Sequence, residues 1–264
     1  MRSPSLSDSL PPRAKSQHPF DGKIFGGDGR VHGGGTTLND VKGTLPQPGA
    51  KPPTNVDPRT YGKEGKLYFV NGVWNTVADH RASLQSLANR TGSEVVGIYN
   101  ASDGTVEDLS QVSRDKLGAK DNPTTKTLAS GLYKELQAGR SPHVVAHSQG
   151  ALITSNALSE VRDRLIKDGL KEADAEKALS RVKVETFGGA AQSYPDGPKY
   201  VHYVNLLDPI VRGAGLQAQG LTPSGAQPGR GAKVLAFSSF IPGLHSFADP
   251  YLPKRQPFDQ VYGS

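Results

Sequence analysis

An apolar strand that passes directly into a helix through a serine is the feature that most restricts how this chain can fold. Residues 144–146 are apolar throughout, which is typical of a strand buried on both faces of a parallel sheet. The tetrapeptide 147–150, His-Ser-Gln-Gly, follows without a loop, and a helical pattern begins at once. The turn at Ser148 would be so tight that residues two positions away must be small, and Ala146 and Gly150 meet that need. The pattern predicts a nucleophile elbow.

Ser148 needs partners before its hydroxyl can act as a nucleophile. A hydroxyl is a weak nucleophile at neutral pH, so it requires a base, and the base requires an orienting carboxylate. After such an elbow, the acid and then the histidine are expected in loops beyond later strands. Asp208 follows the fifth predicted strand, and His245 follows the sixth. Asp196 and Asp249 stay open as alternative acids, and an ordinary serine helix cap is the alternative to the elbow.

The chain after residue 61 alternates short apolar runs with amphipathic stretches, which predicts a three-layer α/β/α fold with a mostly parallel sheet. Strands are expected at 67–71, 95–100, 143–147, 182–187, 200–206 and 233–237, and helices at 76–91, 124–136, 149–168 and 173–181. The stretch 208–232 is punctuated by Gly and Pro and is predicted to be a long loop, a kind of segment that often forms a lid.

Composition changes near residue 61. Residues 1–60 are rich in Pro, Gly and Ser and show no helical or strand period, which predicts a flexible leader ahead of a domain over 61–264. Within this leader, Lys23–His32 is the exception, because apolar residues flank a Gly-rich turn and favour a small hairpin.

The residue types present also exclude several classes of site. The chain of 264 residues has no Cys, which excludes disulfides, thiolate metal sites and a cysteine nucleophile. No His pair has helical spacing with a carboxylate between, and His80 is expected on a solvated helix face, so neither a metal nor another cofactor is predicted. Lys and Arg are dispersed among acidic residues, which argues against nucleic-acid binding. No apolar run is long enough to cross a bilayer or to form a Sec signal peptide.

With these motifs, residues 66–252 resemble the α/β-hydrolase superfamily, in particular its serine lipases and esterases. The resemblance is carried by Ala-His-Ser-Gln-Gly at 146–150, Thr-Phe-Gly-Gly at 186–189, residues 205–209 and His245. The Thr-Phe-Gly turn and the Asp-Pro after the next strand look much like those of class 3 lipases. The resemblance implies that Ser148 is the nucleophile, Asp208 the acid and His245 the base.

The same resemblance implies an oxyanion hole. Its two donors would be the backbone N–H of Gln149, directly after the nucleophile, and that of Val73 in the loop after the first strand. Asn71 stands where many hydrolases have His, and Gly72 would permit the close turn. Trp74 would line an acyl pocket, with an ordinary core or surface aromatic as the alternative.

The expected activity is hydrolysis of a carboxylic ester, preferably a lipid or phospholipid acyl ester, although thioester and amide cleavage use the same triad. With 31 Lys and Arg against 25 Asp and Glu, the formal charge is +6, which favours contact with an anionic membrane. The leader resembles export segments of bacterial effectors, so the expected location is the cytoplasm or, after non-Sec secretion, a target cell. The alternative is a catalytically silent interaction protein, in which the chain after residue 237 does not return to Ser148. The oligomeric state is not predicted.

Overall fold

The computed structural model describes residues 18–101, 122–216, 226–240 and 243–263. Eight strands in these residues form one sheet: β1 (Ile24–Phe25), β2 (Val31–His32), β3 (Leu67–Val70), β4 (Val95–Ile98), β5 (His143–His147), β6 (Lys183–Phe187), β7 (Lys199–Asn205) and β8 (Lys233–Phe237). Their order across the sheet is β2-β1-β4-β3-β5-β6-β7-β8. Neighbouring strands in the part β4-β3-β5-β6-β7-β8 of the sheet are all parallel. The strand β1 is antiparallel to both of its neighbours, β2 and β4.

Helices cover both faces of this sheet. They are α1 (Val77–Thr91), α2 (Pro123–Gln137), α3 (Gln149–Lys167), α4 (Glu172–Leu179), α5 (Pro209–Ala214) and α6 (Phe258–Tyr262), with 3-10 turns at Leu38–Asp40 and Leu252–Lys254. Buried residues of α2, α3 and α4 join one apolar cluster, and those of α1 and α6 join a second. Val144 and Val145 belong to different clusters, because successive side chains of a strand point to opposite faces. The predicted three-layer α/β/α fold is confirmed. In the described residues, no helix combines the length and apolarity that crossing a membrane requires.

The elements after residue 61 follow from their local patterns, and β3 to β8 and α1 to α4 lie within two residues of their expected bounds. Thr76 begins α1 with the expected capping box: its Oγ accepts a hydrogen bond from the Asp79 N–H at 3.1 Å. In return, the Asp79 carboxylate accepts one from the Thr76 N–H at 3.0 Å. Gly92 ends the helix in the left-handed region, with φ of 71°, where glycine is favoured.

The prediction of a flexible leader is wrong for residues 18–60. Ile24 pairs with Ile98 of β4, and both residues of β1 are buried. The hairpin expected within Lys23–His32 is confirmed by the pairing of β1 with β2. Composition misled here because two-residue strands that add to an existing sheet need very little apolar sequence of their own. The domain therefore includes residues that lie well before the expected boundary at 61.

Gly27 in this segment is required by close packing of the backbone. A Cβ on Gly27 would lie 2.1 Å from the carbonyl oxygen of Gly43, so the two stretches of backbone touch. Residues 1–17 of the predicted leader lie outside the described residues.

The predicted loop 208–232 is wrong at its start, where Pro209–Ala214 forms α5. The Asp208 carboxylate caps this helix by accepting a hydrogen bond from the Ile210 N–H at 2.8 Å. Proline takes the first helical position, where no N–H is needed. Residues 217–225 lie outside the described residues, so a lid in this stretch stays a prediction.

The prediction that His80 faces solvent is also wrong. His80 is fully buried among the rings of Phe25, Phe69 and Tyr99, with centroids 5.2–5.7 Å apart. Neither ring nitrogen makes a hydrogen bond within the described part of the chain. Burial, helped by the nearby Arg81, lowers the pKa of His80 to about 3. The folded protein therefore keeps this imidazole neutral.

We expect the His80→Phe variant to lose stability less steeply in acid than the wild type. Below the ordinary pKa near 6.5, His80 binds a proton in the unfolded chain but not in the folded protein. The free energy of unfolding therefore falls as pH drops towards 3. This histidine accounts for about 1.4 kcal/mol per pH unit of that fall. Urea unfolding at a series of pH values between about 7 and 4 measures the difference. Parallel curves for the two proteins would contradict the assignment.

A buried cluster of charges fastens the C-terminal segment to the amino end of the sheet. The Arg255 guanidinium lies 2.8 Å from Glu64 and 2.6 Å from Glu185 of β6. Glu185 also accepts a hydrogen bond from His143 of β5 at 2.8 Å. Burial alone would lower the pKa of Arg255, but the two carboxylates outweigh it and hold that pKa above its ordinary value. Removal of the guanidinium would leave two carboxylates without their cation.

The Arg255→Met variant is expected to lower the free energy of unfolding by about 3–5 kcal/mol, because it leaves buried carboxylates unpaired. The matched control is Arg59→Met, which removes an ion pair of similar length, 2.7 Å to Asp57, from a side chain that is 89% exposed. We expect no measurable change there, since exposed pairs contribute little. Urea unfolding of both variants at neutral pH makes the comparison. Equal stability of the two variants would show that the buried cluster is not needed.

Candidate active site

The turn that carries Ser148 is as tight as its neighbours predict. Ser148 follows the last residue of β5 with φ of 56° and ψ of −124°, and α3 begins at the next residue. A Cβ on Gly150 would lie 2.3 Å from the carbonyl oxygen of Val70 in β3, so only glycine fits there. Gly72 is equally restricted, because its Cβ would lie 2.5 Å from the Cβ of Ser148. A left-handed φ at a residue other than glycine stores strain, which is typical of functional turns.

The Ser148 hydroxyl contacts His245 instead of capping the helix. The Ser148 side chain makes no capping hydrogen bond to α3, which argues against the ordinary helix cap. Its Oγ lies 2.6 Å from His245 Nε2, and His245 Nδ1 lies 2.6 Å from Asp208 Oδ2. A carboxylate only accepts, so Nδ1 carries the proton and the lone pair of Nε2 faces the hydroxyl. This tautomer is the one that a base needs to take the Ser148 proton.

Asp208 is the carboxylate that the structure places against the imidazole. It lies three residues beyond β7, and burial of its side chain is complete. Its Oδ1 accepts the hydrogen bond that caps α5, and Oδ2 accepts hydrogen bonds from His245 and from the Tyr251 hydroxyl. Of the alternatives, Asp196 lies 2.7 Å from the guanidinium of Arg230. The backbone after β7 therefore brings Asp208 into reach of His245.

Sequence reasoning missed the group that holds the His245 backbone. The Nε2 of His147, the last residue of β5, donates a hydrogen bond to the His245 carbonyl oxygen at 2.8 Å. The two rings lie 4.9 Å apart at an interplanar angle of 36°. Burial and the neighbouring His245 lower the pKa of His147 to about 3, so this ring is a neutral donor. On the other side, Asn205 Nδ2 donates to the Leu244 carbonyl at 3.2 Å.

The predicted oxyanion-hole residues lie on the two segments that flank Ser148. Gln149 opens α3, where the first backbone N–H groups have no partner within the helix. Val73 is buried in the loop after β3, next to Gly72. The Gln149 side chain accepts a hydrogen bond from Asn100 at 2.6 Å. That the N–H groups of Gln149 and Val73 stabilise an oxyanion stays a prediction.

The side chain of Asn71, which stands where many hydrolases have His, holds the loop after β3 in place. Its Nδ2 donates to the carbonyl oxygens of Gly72 and Asn100, both at 2.8 Å. Its Oδ1 accepts the Asn100 N–H at 2.9 Å. One buried amide thus joins the carboxyl ends of β3 and β4. The sequence analysis noted Asn71 only in place of His and did not predict this role.

Among the described residues, one group of side chains has ligand atoms close enough to hold a metal ion. Oxygen and nitrogen atoms of Glu64, His143 and Glu185 lie within 4.8 Å of one another. The Arg255 guanidinium already contacts both carboxylates, so it supplies the positive charge there. The group lies at the amino end of the sheet, whereas Ser148 follows the carboxyl end of β5. We therefore assign this group a structural role rather than a metal-binding one.

Two depressions in the surface border the elements of this site. One of about 430 Å³ is lined by residues that include Trp74, Val77 and Tyr99, next to the loop after β3. A larger one of about 1010 Å³ runs along α3 and is lined mainly by polar groups. Two aromatic side chains close to the site segments are exposed: Trp74 by 46% and Phe240 by 86%.

Comparisons with known proteins give distant structural likenesses. No protein-family model matches the chain, and neither does any curated protein. Similar solved structures include a dienelactone hydrolase-like promiscuous phosphotriesterase from metagenomic libraries, with 15% identity, TM-score 0.40 and coverage of 70% of this chain and 73% of the other. Another is the RedJ thioesterase of the prodiginine pathway in Streptomyces coelicolor, with 15% identity, TM-score 0.39 and coverage of 80% and 87%. A third is dienelactone hydrolase from Anabaena variabilis, with 13% identity, TM-score 0.37 and coverage of 78% and 81%.

These likenesses are too distant to bear on substrate or activity, and the fold rests on the topology itself. Parallel strands run in the order β4-β3-β5-β6-β7-β8, helices cover both faces, and Ser148 stands on the turn after the central strand β5. Asp208 and His245 lie beyond the ends of β7 and β8. The chain has an α/β-hydrolase fold.

Proposed function

We propose that the protein is a serine hydrolase that cleaves carboxylic esters through an acyl-enzyme. The observation that supports this most is the unbroken chain of hydrogen bonds from Ser148 through His245 to Asp208, with both distances 2.6 Å. The serine is strained and almost fully buried, whereas the His245 side chain is 24% exposed. The base therefore lies between solvent and nucleophile, where it can serve an alcohol leaving group and then water.

In the proposed reaction, Ser148 Oγ attacks the acyl carbon while His245 Nε2 takes the hydroxyl proton. The resulting imidazolium lies beside the Asp208 carboxylate, which stabilises its charge. As the tetrahedral intermediate collapses, the ester C–O bond breaks, and His245 gives its proton to the departing alkoxide. Water then attacks the acyl-Ser148 ester while His245 accepts a water proton. When this second intermediate collapses, the bond between the acyl carbon and Ser148 Oγ breaks, His245 returns the proton to Oγ, and the carboxylic acid leaves. The backbone N–H groups of Gln149 and Val73 stabilise the oxyanion in both halves.

Among esters, we favour lipid or phospholipid acyl esters as the substrate class. Phe240 lies three residues beyond the carboxyl end of β8, and Trp74 lies four residues beyond that of β3. Because the carboxyl ends of parallel strands share one edge of the sheet, both exposed aromatic residues lie near the edge that carries Ser148. Exposed aromatic side chains next to a site favour contact with an apolar surface. The net charge of +6 favours an anionic one.

The alternative function is that of a catalytically silent interaction protein on the same scaffold. This alternative expects that the chain after β8 does not return to Ser148. The short contact between His245 and Ser148 does not favour the alternative. Delivery into a target cell stays a prediction from composition, because residues 1–17 lie outside the described part of the chain.

Labelling with a fluorophosphonate probe tests the proposed nucleophile. We expect wild-type protein to be labelled, and Ser148→Ala and His245→Ala to lose labelling, because one lacks the attacking oxygen and the other lacks the base. Asp208→Asn is expected to slow labelling on the order of 10³–10⁴-fold, since the imidazole then adopts the wrong tautomer. Gel fluorescence against time gives the rates.

The matched controls are Asp196→Asn and Asp249→Asn, which neutralise the two acids that the sequence left open. Both are expected to label at the wild-type rate. If either slows labelling as much as Asp208→Asn does, Asp208 is not the sole orienting acid. If folded wild-type protein takes no label, the result contradicts the hydrolase function and supports the interaction-protein alternative.

Vesicles test the substrate class. Phe240→Ser is expected to lower the ratio of activity on phosphatidylglycerol vesicles to activity on soluble p-nitrophenyl butyrate by about tenfold, because loss of one buried aromatic contact weakens attachment by at least 1.4 kcal/mol. Leu45→Ser is the control: Leu45 is 65% exposed but follows Thr44, which pairs with the first residue of β4 at the opposite edge. The control should leave the ratio unchanged. An equal fall in both variants, or in neither, would contradict attachment through Phe240.

A further inference from the structure

Tyr251 is a buried side chain that no step of the proposed mechanism uses. Its hydroxyl donates a hydrogen bond to Asp208 Oδ2 at 2.5 Å, the same oxygen that accepts the hydrogen bond from His245 Nδ1. The residue lies six positions beyond His245, and its side chain is completely buried. The acid is thus held from two sides by groups of one short segment of chain.

The direction of the Tyr251 hydroxyl is fixed by a second hydrogen bond. The backbone N–H of Asn205, at the end of β7, donates to the tyrosine oxygen at 3.4 Å. An N–H only donates, so it occupies a lone pair of that oxygen and leaves the hydroxyl proton for Asp208. Burial, together with the neighbouring carboxylate, raises the pKa of Tyr251, so the phenol keeps its proton across the working range of pH.

Two neighbouring residues restrict the position of the Tyr251 ring. On one side lies Gly188, whose φ is 56°, and a Cβ there would be 2.9 Å from the ring and from its hydroxyl oxygen. On another side lies Phe237, edge-on, with centroids 5.5 Å apart. The glycine of the Thr-Phe-Gly turn noted in the sequence is therefore required by the tyrosine that packs on it.

We propose that Tyr251 is a positioning residue: its hydroxyl fixes the rotation of the Asp208 carboxylate and draws part of the carboxylate charge away from His245. This inference rests on the hydrolase function proposed above. With Ile210 N–H on Oδ1 and Tyr251 on Oδ2, the carboxylate cannot turn away from the imidazole. Hydrogen bonds to a carboxylate also disperse its charge, so its attraction for the imidazolium is weakened.

The consequence is a base whose charged form is stabilised by one carboxylate that Tyr251 also contacts. In the described residues, the titratable side chains that contact the His245 ring are Asp208 and His147. His147 is neutral, so the charge that acts on His245 is that of Asp208, and Tyr251 moderates it. Without the phenol, Asp208 would hold the imidazolium more strongly, and the pKa of His245 would rise.

The test compares Tyr251→Phe with Tyr203→Phe. Tyr203 is a matched control, because it is also buried and its hydroxyl makes two hydrogen bonds, to the backbone of Gln256, without contact with the three triad residues. An NMR titration of the His245 imidazole, with the signals assigned by loss in His245→Gln, is expected to show a pKa raised by about half a unit or more in Tyr251→Phe alone. Ester turnover is expected to fall about tenfold in kcat with KM unchanged, because orientation in the transition state is lost.

If Tyr251→Phe does not fold, Gly188→Ala is the second variant, since its Cβ displaces the ring and should raise the pKa of His245 in the same direction. An unchanged or lowered pKa in a folded variant would overturn the proposal, and so would an equal rise in Tyr203→Phe. The outcomes separate the two claims. If the pKa of His245 rises in Tyr251→Phe but the wild-type protein takes no probe and cleaves no ester, the role of Tyr251 is supported and the hydrolase function is refuted. If the wild-type protein cleaves esters but the pKa of His245 is unchanged in Tyr251→Phe, the hydrolase function is supported and the role of Tyr251 is refuted.

Discussion

The close approach of α3 to the end of β3 sets the position of every group around Ser148. Gly150 lies against the Val70 carbonyl and Gly72 lies against Ser148, at distances that no side chain would allow. Because strand and helix nearly touch, Ser148 is forced into the left-handed region, and its Oγ is directed away from the helix that it begins. The first N–H groups of α3 lie beside it, where a negative charge is favoured. The strain thus places a hydroxyl between an unsatisfied helix end and the segment that carries the base.

That segment comes from the far end of the chain and is held at both edges of the sheet. At the carboxyl edge, the His245 carbonyl accepts a hydrogen bond from His147, and Tyr251 donates one to Asp208. At the amino edge, Arg255 joins Glu64 and Glu185 in a largely buried cluster. Both anchors bury polar groups, which costs free energy unless every partner is present. The stability of the fold and the geometry of the base are therefore coupled through a stretch of about ten residues.

Sequence patterns predict the elements that are determined by contacts between residues close in the chain. The strands from Leu67 onwards, the capping box at Thr76 and the elbow at Ser148 all have a signal in residues a few positions apart, and each lies close to its expected place. The order of acid and histidine came from topology rather than from spacing. Contacts between distant segments were missed: β1 pairs with a strand some 70 residues later, and His80 is buried by rings from three other strands and loops. The role of Tyr251 was invisible for the same reason, since only the fold brings it to Asp208.

A covalent intermediate at Ser148 is the central step of the proposed reaction, and trapping that intermediate tests it most directly. Protein mixed with excess p-nitrophenyl ester and quenched in acid within the first turnover should carry an acyl group, found by peptide mass mapping on the peptide that contains Ser148. The release of p-nitrophenol should show a burst that matches the amount of active protein. An acyl group on another residue, or ester turnover by folded protein with neither burst nor acylated Ser148, would contradict the account.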